Sequence, residues 1–521
     1  MAGSVVDLDR LTAAGVRDGA LQGRRVTVLG LARSGVALAR FFADAGARVT
    51  VYDGRPAEDL AAAIESLGGR AVEMRLGPDV EPATAWSDAD LIATSPSINP
   101  DFPTAEPRLR AALAAVVTAH RADPATAPAL VSETDLVLRL CPCPTIGVTG
   151  TKGKTTTSSL IAALLAGDPA HPVVLGGNIG VPLVERLTEL TAEHRVVIEL
   201  SELQMPTLSR GTTVAIYTNV TADHLDRHGS LEAYRRVKRR LAELVDPDGA
   251  LVLNMDDPVV SQYASLGTAA VVPYSRGRPH AGGLGLEDGW IVAAGVAPTA
   301  IAGGGAAGGP TSGVIGRILP ISELAIPGEH NVSNALAAVA AALLFGVAPD
   351  AIRGAAATFT GVEHRLEQVA IVDGVRFIND SQGTQPDAVI AALHAFPRPL
   401  VLIAGGRDKG VDLSGLGPVV AEKADAAVLI GESGYKLATM FGASGMTQVE
   451  LATSLERAVI RADQIARDLL RRRGGTGPAT VLLSPAAASF DMFVDYADRG
   501  RAFKAAVAAV AARRRAEESE P

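Results

Sequence analysis

The sequence predicts a multidomain α/β enzyme built on mainly parallel sheets, and three observations carry that reading. β-branched, strand-like runs alternate with helical patterns along most of the chain. Polar residues suited to chemistry recur at the C-terminal ends of those strands, where ligands of parallel sheets bind. One such end, Thr145–Thr157 (TIGVTGTKGKTTT), has the strand–glycine loop–helix order of a phosphate-binding site.

The totals agree. A chain of 521 residues suggests roughly three domains. The expected boundaries are 1–128 for an N-terminal Rossmann-like domain, 129–361 for a central P-loop ATPase-like domain and 362–521 for a C-terminal Rossmann-like domain. A net charge of −9 argues against general nucleic-acid affinity. Two cysteines, Cys141 and Cys143, provide neither a disulfide framework nor enough zinc ligands, which suits a reducing cytoplasm. The N-terminus lacks the basic and apolar regions of a signal peptide, and no apolar run reaches the ~18 residues of a membrane span.

In chain order, Arg25–Gly30 (RVTVLG) reads as a strand, LARSGVALARFFADAG as a helix, and ARVTVYD as a second strand ending at Asp53. Gly30 and Gly35 stand at the first turn, but Ala32 replaces the middle glycine of a dinucleotide fingerprint, so a site for another nucleotide's ribose or base fits better. Asp90–Asn99 reads as a strand ending in a Ser-Pro loop. The Ala- and Pro-rich His120–Ala129 is expected to be a linker.

In the phosphate loop, Gly150 and Gly153 permit close approach of backbone amides to phosphate oxygens, and the helix that follows adds its positive end. Lys154 would reach the β- and γ-phosphates, and the Thr155 hydroxyl would ligate Mg²⁺. HRVVIELSE delivers Glu199 at a strand end, as a magnesium ligand or general base; AIYTNVTADH does the same for His224, as a metal or phosphate contact. By its own pattern Lys238, amid RRVKRR, is a surface lysine. Ala302–Gly313 is expected to be a flexible excursion without chemistry, Asn331–Leu344 a helix, and the last ten residues a frayed tail. A third block begins near Val362, with Asp380 and Lys409 at strand ends suited to ligand contacts. Two such sheets serving one nucleotide suggest a cleft that closes on substrate.

Nine stretches in order carry a resemblance over nearly the whole chain: TGTKGKTTT, GGNIG, ELSELQ, NVTADHLDRHGSLEAY with its downstream lysine, GEHNVSNALAA, GVEHRLE, NDSQGTQ, AGGRDKG and SPAAASFDMF. Together they resemble the Mur ligases of peptidoglycan synthesis. Their order and the final block are similar to the member that adds D-glutamate to UDP-N-acetylmuramoyl-L-alanine; the DNPR motif of the diaminopimelate-adding relative is absent. The resemblance implies ATP-dependent ligation through an acyl phosphate in a cytoplasmic, monomeric enzyme without nucleic-acid or membrane partners. It implies catalytic roles for Lys154, His224 and Lys238. It also implies ATP contacts at Gly150, Thr151, Lys152, Gly153, Lys154, Thr155, Thr156, Asn334, Arg365 and Asp380. Thr155 and Glu199 would hold one Mg²⁺; His224 and a carbamylated Lys238 would serve a second. Gly30, Leu31, Asp53, Arg55, Asn178 and Ser201 match the UDP-substrate positions. Thr384, Lys409, Ser489 and Tyr496 match those around the incoming glutamate.

Four departures stand out. Lys152 replaces the loop's usual asparagine, Glu202 follows Ser201, Ser97 replaces a glycine, and Gln382 (DSQGTQ for DSKATN) replaces a lysine near the amino-acid position. An L-glutamate or folylpolyglutamate-type ligase, or a nucleotide-binding homologue without turnover, are the other readings. The mononucleotide-like N-terminal half disfavours the folate type.

Overall fold

The computed structural model describes residues 5–100, 106–222, 225–298, 313–326, 328–408, 413–474 and 477–519. The chain divides into two compact units, Met1–Phe359 and Thr360–Pro521.

The first unit holds two sheets. In the first, five parallel strands lie in the order Val72–Leu76, Arg48–Asp53, Arg25–Leu29, Leu91–Thr94, Ala129–Ser132. The last strand corrects the expected boundary: it pairs with Leu91–Thr94, so this sheet extends past residue 128. The expected linker is also shorter than His120–Ala129, because His120–Ala122 complete the helix Pro107–Ala122. The turn between Arg25–Leu29 and the helix Arg33–Asp44 depends on Gly35, where a Cβ would lie 1.7 Å from the carbonyl oxygen of Gly30.

The second sheet has nine strands, with Thr145–Thr149 between Val214–Tyr217 and Arg195–Glu199, all parallel. That register brings Val148 opposite Glu199 and Thr149 opposite Tyr217, so three strand ends open on one edge. All residues of these three strands are buried, which explains their continuous apolar character. The helix Lys154–Leu165 lays Leu160, Ile161, Leu164 and Leu165 into the core. Full burial of each such side chain contributes about 1.5–3 kcal/mol. Its neighbour Glu329–Leu344 is buried continuously from Asn334 to Leu344, as a helix apolar on all sides must be. Beyond Ala270–Tyr274 the sheet continues through Leu284–Glu287, Trp290–Val296 and Val314–Pro320, the last two pairs antiparallel. The sequence reading contains no such extension. The glycine-rich excursion it expects falls, except for Gly313, outside the described residues.

The second unit is a six-stranded sheet ordered Glu367–Val372, Val375–Asn379, Ala479–Leu483, Leu400–Gly405, Ala426–Ile430, Val449–Leu451. Only its first strand runs antiparallel. The expected frayed tail is corrected too. The helix Tyr496–Ser519 continues into it as far as Ser519, and Arg514 is buried in an ion pair with Asp463 while also bonding the Val372 carbonyl at 2.8 Å. Among the described residues, no helix is long and apolar enough to cross a membrane.

Candidate active site

The phosphate loop closes on its own neighbours. The Thr151 amide donates to the Asn219 carbonyl at 2.8 Å, and the Thr151 hydroxyl lies 2.9 Å from the Tyr234 hydroxyl. The Lys152 amide donates to Asn219 Oδ1 at 2.9 Å, and the Lys152 carbonyl accepts from the Thr218 hydroxyl at 2.6 Å. The Lys152 side chain is exposed. At Gly150 (φ 148°) a Cβ would lie 1.9 Å from Thr218 Oγ1, so only glycine permits this turn. Gly153 immediately precedes the helix, whose first residue is Lys154. The Lys154 ammonium donates to the carbonyls of Gly150 and Thr151, at 3.0 and 2.9 Å. Asn334 Oδ1 accepts from the Thr157 hydroxyl at 3.2 Å, which fixes the helix Glu329–Leu344 against this turn. Thr155 is buried and Thr156 half-buried in the same first turn.

Glu199 is 1% exposed. One carboxylate oxygen accepts from the Asn178 side-chain amide at 2.8 Å, and the other has no hydrogen-bond partner. A buried carboxylate oxygen left open beside a phosphate loop has the chemistry of a hard-cation ligand. Among the described residues no group of three His, Cys, Asp or Glu side chains forms a metal cluster. Asp223 and His224 lie outside the described residues.

Lys238 is a correction to its expected surface position. It is fully buried, and its ammonium donates to Thr149 Oγ1 and the Gly150 carbonyl at 3.2 and 3.1 Å, 5.6 Å from the centre of the Tyr234 ring. The helix Leu231–Leu244, capped by Ser230, buries Tyr234, Lys238, Leu241 and Ala242 along one stripe. The lysine's place on that stripe was the available signal.

In the first sheet the Leu31 amide donates to Asp53 Oδ2 at 2.8 Å, and Arg55 engages both Asp53 oxygens at 3.0 and 2.8 Å. Burial works against the charged form of Asp53, yet the Arg55 guanidinium and the two amides bring its carboxyl below the ordinary range. Gly30 stands at the turn, its amide bonded to the Tyr52 carbonyl. Ser201 is committed elsewhere: its amide and hydroxyl both donate to Gln204 Oε1, at 2.8 and 3.0 Å. Glu202 is buried in an ion pair with Arg227 at 2.8 Å.

In the second unit, Asp380 is buried, with the Ser484 hydroxyl donating to it at 2.6 Å and the Leu366 amide at 3.2 Å. Burial pushes its carboxyl up to about 6, against the pull of the Ser484 hydroxyl, the Leu366 amide and the Arg365 charge. The Thr384 amide donates to the Gln382 carbonyl at 2.7 Å, and the Gln382 amide donates to the His364 carbonyl at 3.0 Å. Ser489 is buried, and Tyr496 opens the last helix. Lys409 lies outside the described residues. Sequence reasoning gave no role to Asn219, although it opens the NVTADH stretch, nor to Thr218 and Arg499; all three hold loops.

Three family models match the chain: "Mur ligase MurD-like, N-terminal domain" at residues 24–120, "Mur ligase middle domain" at 148–342 and "Mur ligase, glutamate ligase domain" at 364–472. A protein of Symbiobacterium thermophilum named UDP-N-acetylmuramoylalanine–D-glutamate ligase is 37% identical over 495 residues, covering 93% of this chain and 98% of that protein. Proteins of the same name from Pelotomaculum thermopropionicum and Acidobacterium capsulatum are each 36% identical, and each alignment covers 96% of the relative.

Proposed function

This chain belongs to the Mur ligase family and is an ATP-dependent ligase; we propose that it joins D-glutamate to UDP-N-acetylmuramoyl-L-alanine in peptidoglycan precursor synthesis. The observation that carries the substrate is the alignment along 98% of a relative bearing that activity's name.

The carboxylate of the alanyl group attacks the γ-phosphorus of ATP, the bond to the bridging oxygen breaks, and ADP leaves an acyl phosphate. The glutamate amine, freed of its proton, then attacks the acyl carbon, and the tetrahedral intermediate expels phosphate. Charge accumulates on phosphoryl oxygens throughout, so the chain's task is electrostatic. The Lys154 ammonium is held at the loop by the Gly150 and Thr151 carbonyls, where it can turn to phosphate oxygens, and the helix opening at Lys154 points its positive end the same way. Asn334 sits against this helix, beside the nucleotide. We also assign Arg365 and Asp380 to ATP, and Thr384, Lys409, Ser489 and Tyr496 to the glutamate. Gly30, Leu31, Asp53 and Arg55 serve the UDP substrate; Ser201, whose amide and hydroxyl both go to Gln204, shapes its own loop, and Asn178 acts through Glu199.

The donor set at Thr155 and Glu199 fits magnesium, since one carboxylate oxygen of Glu199 is buried and open. Bound there, the ion supplies neutralisation of phosphate charge. We assign a second magnesium to His224 and a carbamate on Lys238. The addition of CO₂ to its amine turns a buried cation into an anionic oxygen donor suited to that ion. A carbonyl carbon signal after incubation with ¹³C-bicarbonate, lost in Lys238→Ala, tests the carbamate without reference to turnover. We further propose that the enzyme acts as a monomer in the cytoplasm, and sedimentation velocity tests the first point.

The deciding experiment is phosphate release with ATP, Mg²⁺ and UDP-N-acetylmuramoyl-L-alanine, comparing D- with L-glutamate. Turnover with D-glutamate alone is expected. A preference for L-glutamate would overturn the substrate and point to Gln382, and silence with both would favour the homologue without turnover.

A further inference from the structure

Arg499, in the first turn of the last helix, is 1% exposed, yet none of its hydrogen bonds goes to a carboxylate. Its Nε donates to the Ser381 hydroxyl and its Nη2 to the Ser381 carbonyl, both at 3.0 Å. Nη1 donates to the carbonyls of Ala487 and Ala488, each at 3.2 Å. The Ser381 hydroxyl passes its own proton to the Tyr496 carbonyl at 2.7 Å. One planar fork thus ties together the loop 381–384, the loop 485–489 and the start of the last helix. These segments carry Thr384, Ser489 and Tyr496.

The same junction is tightened from two more sides. The Ala486 amide donates to the Gly383 carbonyl at 2.9 Å, although Ala486 must adopt a φ of 54° to do so. Gly500, next to Arg499, lies so near His364 that a Cβ would sit 2.2 Å from the imidazole Nδ1. Burial lowers the guanidinium to about 10, with the Asp491 carboxylate opposing that shift, so it stays charged at neutral pH. A buried cation is costly, and here four oxygens of two loops hold it in place.

We propose that Arg499 is a positioning residue for the amino-acid half of the reaction: it sets the spacing of Thr384, Ser489 and Tyr496, and its charge favours an anionic amino acid beside them. This rests on the assignment of those three residues to glutamate. It extends that assignment to a group that touches no substrate.

Arg499→Lys keeps the charge but cannot bridge the two oxygens of Ser381 to the carbonyls of Ala487 and Ala488. The expected result is a glutamate KM raised about 10- to 100-fold, with the KM values for ATP and UDP substrate changed less than about 2-fold. Ser381→Ala, which removes the hydroxyl's bonds to Arg499 and to the Tyr496 carbonyl but leaves the Ser381 and Ala487–Ala488 carbonyls bridged, should move the glutamate KM in the same direction by less. Hydrogen exchange read by mass spectrometry needs no substrate. Uptake should rise at 381–384 and 485–489 while the strands Val375–Asn379 and Ala479–Leu483 stay protected. Unchanged exchange, or a uniform rise through the second unit, would overturn the proposal, as would local loosening with a wild-type glutamate KM. A wild-type enzyme that releases no phosphate with D-glutamate would refute the substrate reading instead. The exchange pattern would then decide the clamp alone.

Discussion

The Asn178 side-chain amide holds one oxygen of Glu199 at 2.8 Å and fixes the carboxylate, whose other oxygen is buried without a partner. The two residues are also joined through the backbone, the Asn178 amide donating to the Glu199 carbonyl at 2.9 Å. A group that orients a metal ligand in this way typically contributes about 10- to 100-fold in metal affinity or activity. Asn178→Ala should therefore raise the magnesium concentration for half-maximal phosphate release by about that factor. If instead only the KM for the UDP substrate rises, Asn178 acts on the sugar nucleotide and not through Glu199.

Lys154→Ala removes the ammonium that the loop carbonyls of Gly150 and Thr151 hold in place. Loss of one preorganised charge at a transferring phosphate costs on the order of 10²–10³ in kcat. The Leu31–Asp53–Arg55 network stands on a different sheet, so calorimetric titration should find UDP-substrate binding within about 2-fold of wild type. Loss of both functions would mean that the two sites are not separate.

Gly35→Ala tests the turn of the first sheet. The added methyl would meet the Gly30 carbonyl oxygen at 1.7 Å, and backbone cannot step aside as a side chain can. A destabilisation of about 1–3 kcal/mol is expected, read as a lower urea midpoint at unchanged slope. A wild-type midpoint would show that the turn relaxes freely.

What could be read from residues alone was the part governed by local rules. A β-branched strand, a glycine loop and an apolar helix from Thr145 to Leu165 are each set by neighbours in sequence, and they form as expected. Lys238 and Arg514 were misread for one shared reason. Each sits in a cationic run, and charge dominates the local pattern. Yet Lys238 follows Tyr234 and precedes Leu241, and Arg514 follows Phe503, Val507 and Val510, all on buried stripes. Helical spacing would have placed both inward, but only a tertiary partner, Thr149 in one case and Asp463 in the other, makes such burial tolerable. Leu284–Glu287 and Trp290–Val296 form a hairpin on Asp288-Gly289, a turn signal the residues did offer, whereas the pairing of Trp290–Val296 with Val314–Pro320 is hidden by the glycine-rich stretch between them. Roles at His224 and Lys409 rest on motif alone, both lying outside the described residues.

Asp380 supplies a pH test with a definite sign. Burial raises its carboxyl to about 6 from an ordinary 3.8, so between those values the folded chain holds a proton that the unfolded chain has released. Stability from this group is therefore greatest below about pH 4, falls as pH rises through the window, and is lowest above about 6. The full penalty is of order 2–3 kcal/mol. Asp380→Asn keeps an acceptor for the Ser484 hydroxyl but cannot ionise. Its urea midpoint should gain on wild type between pH 4.5 and 7.5, and the gain should level off above about 6. Midpoints that stay parallel across this range would mean that Asp380 is ionised at little cost in the folded protein.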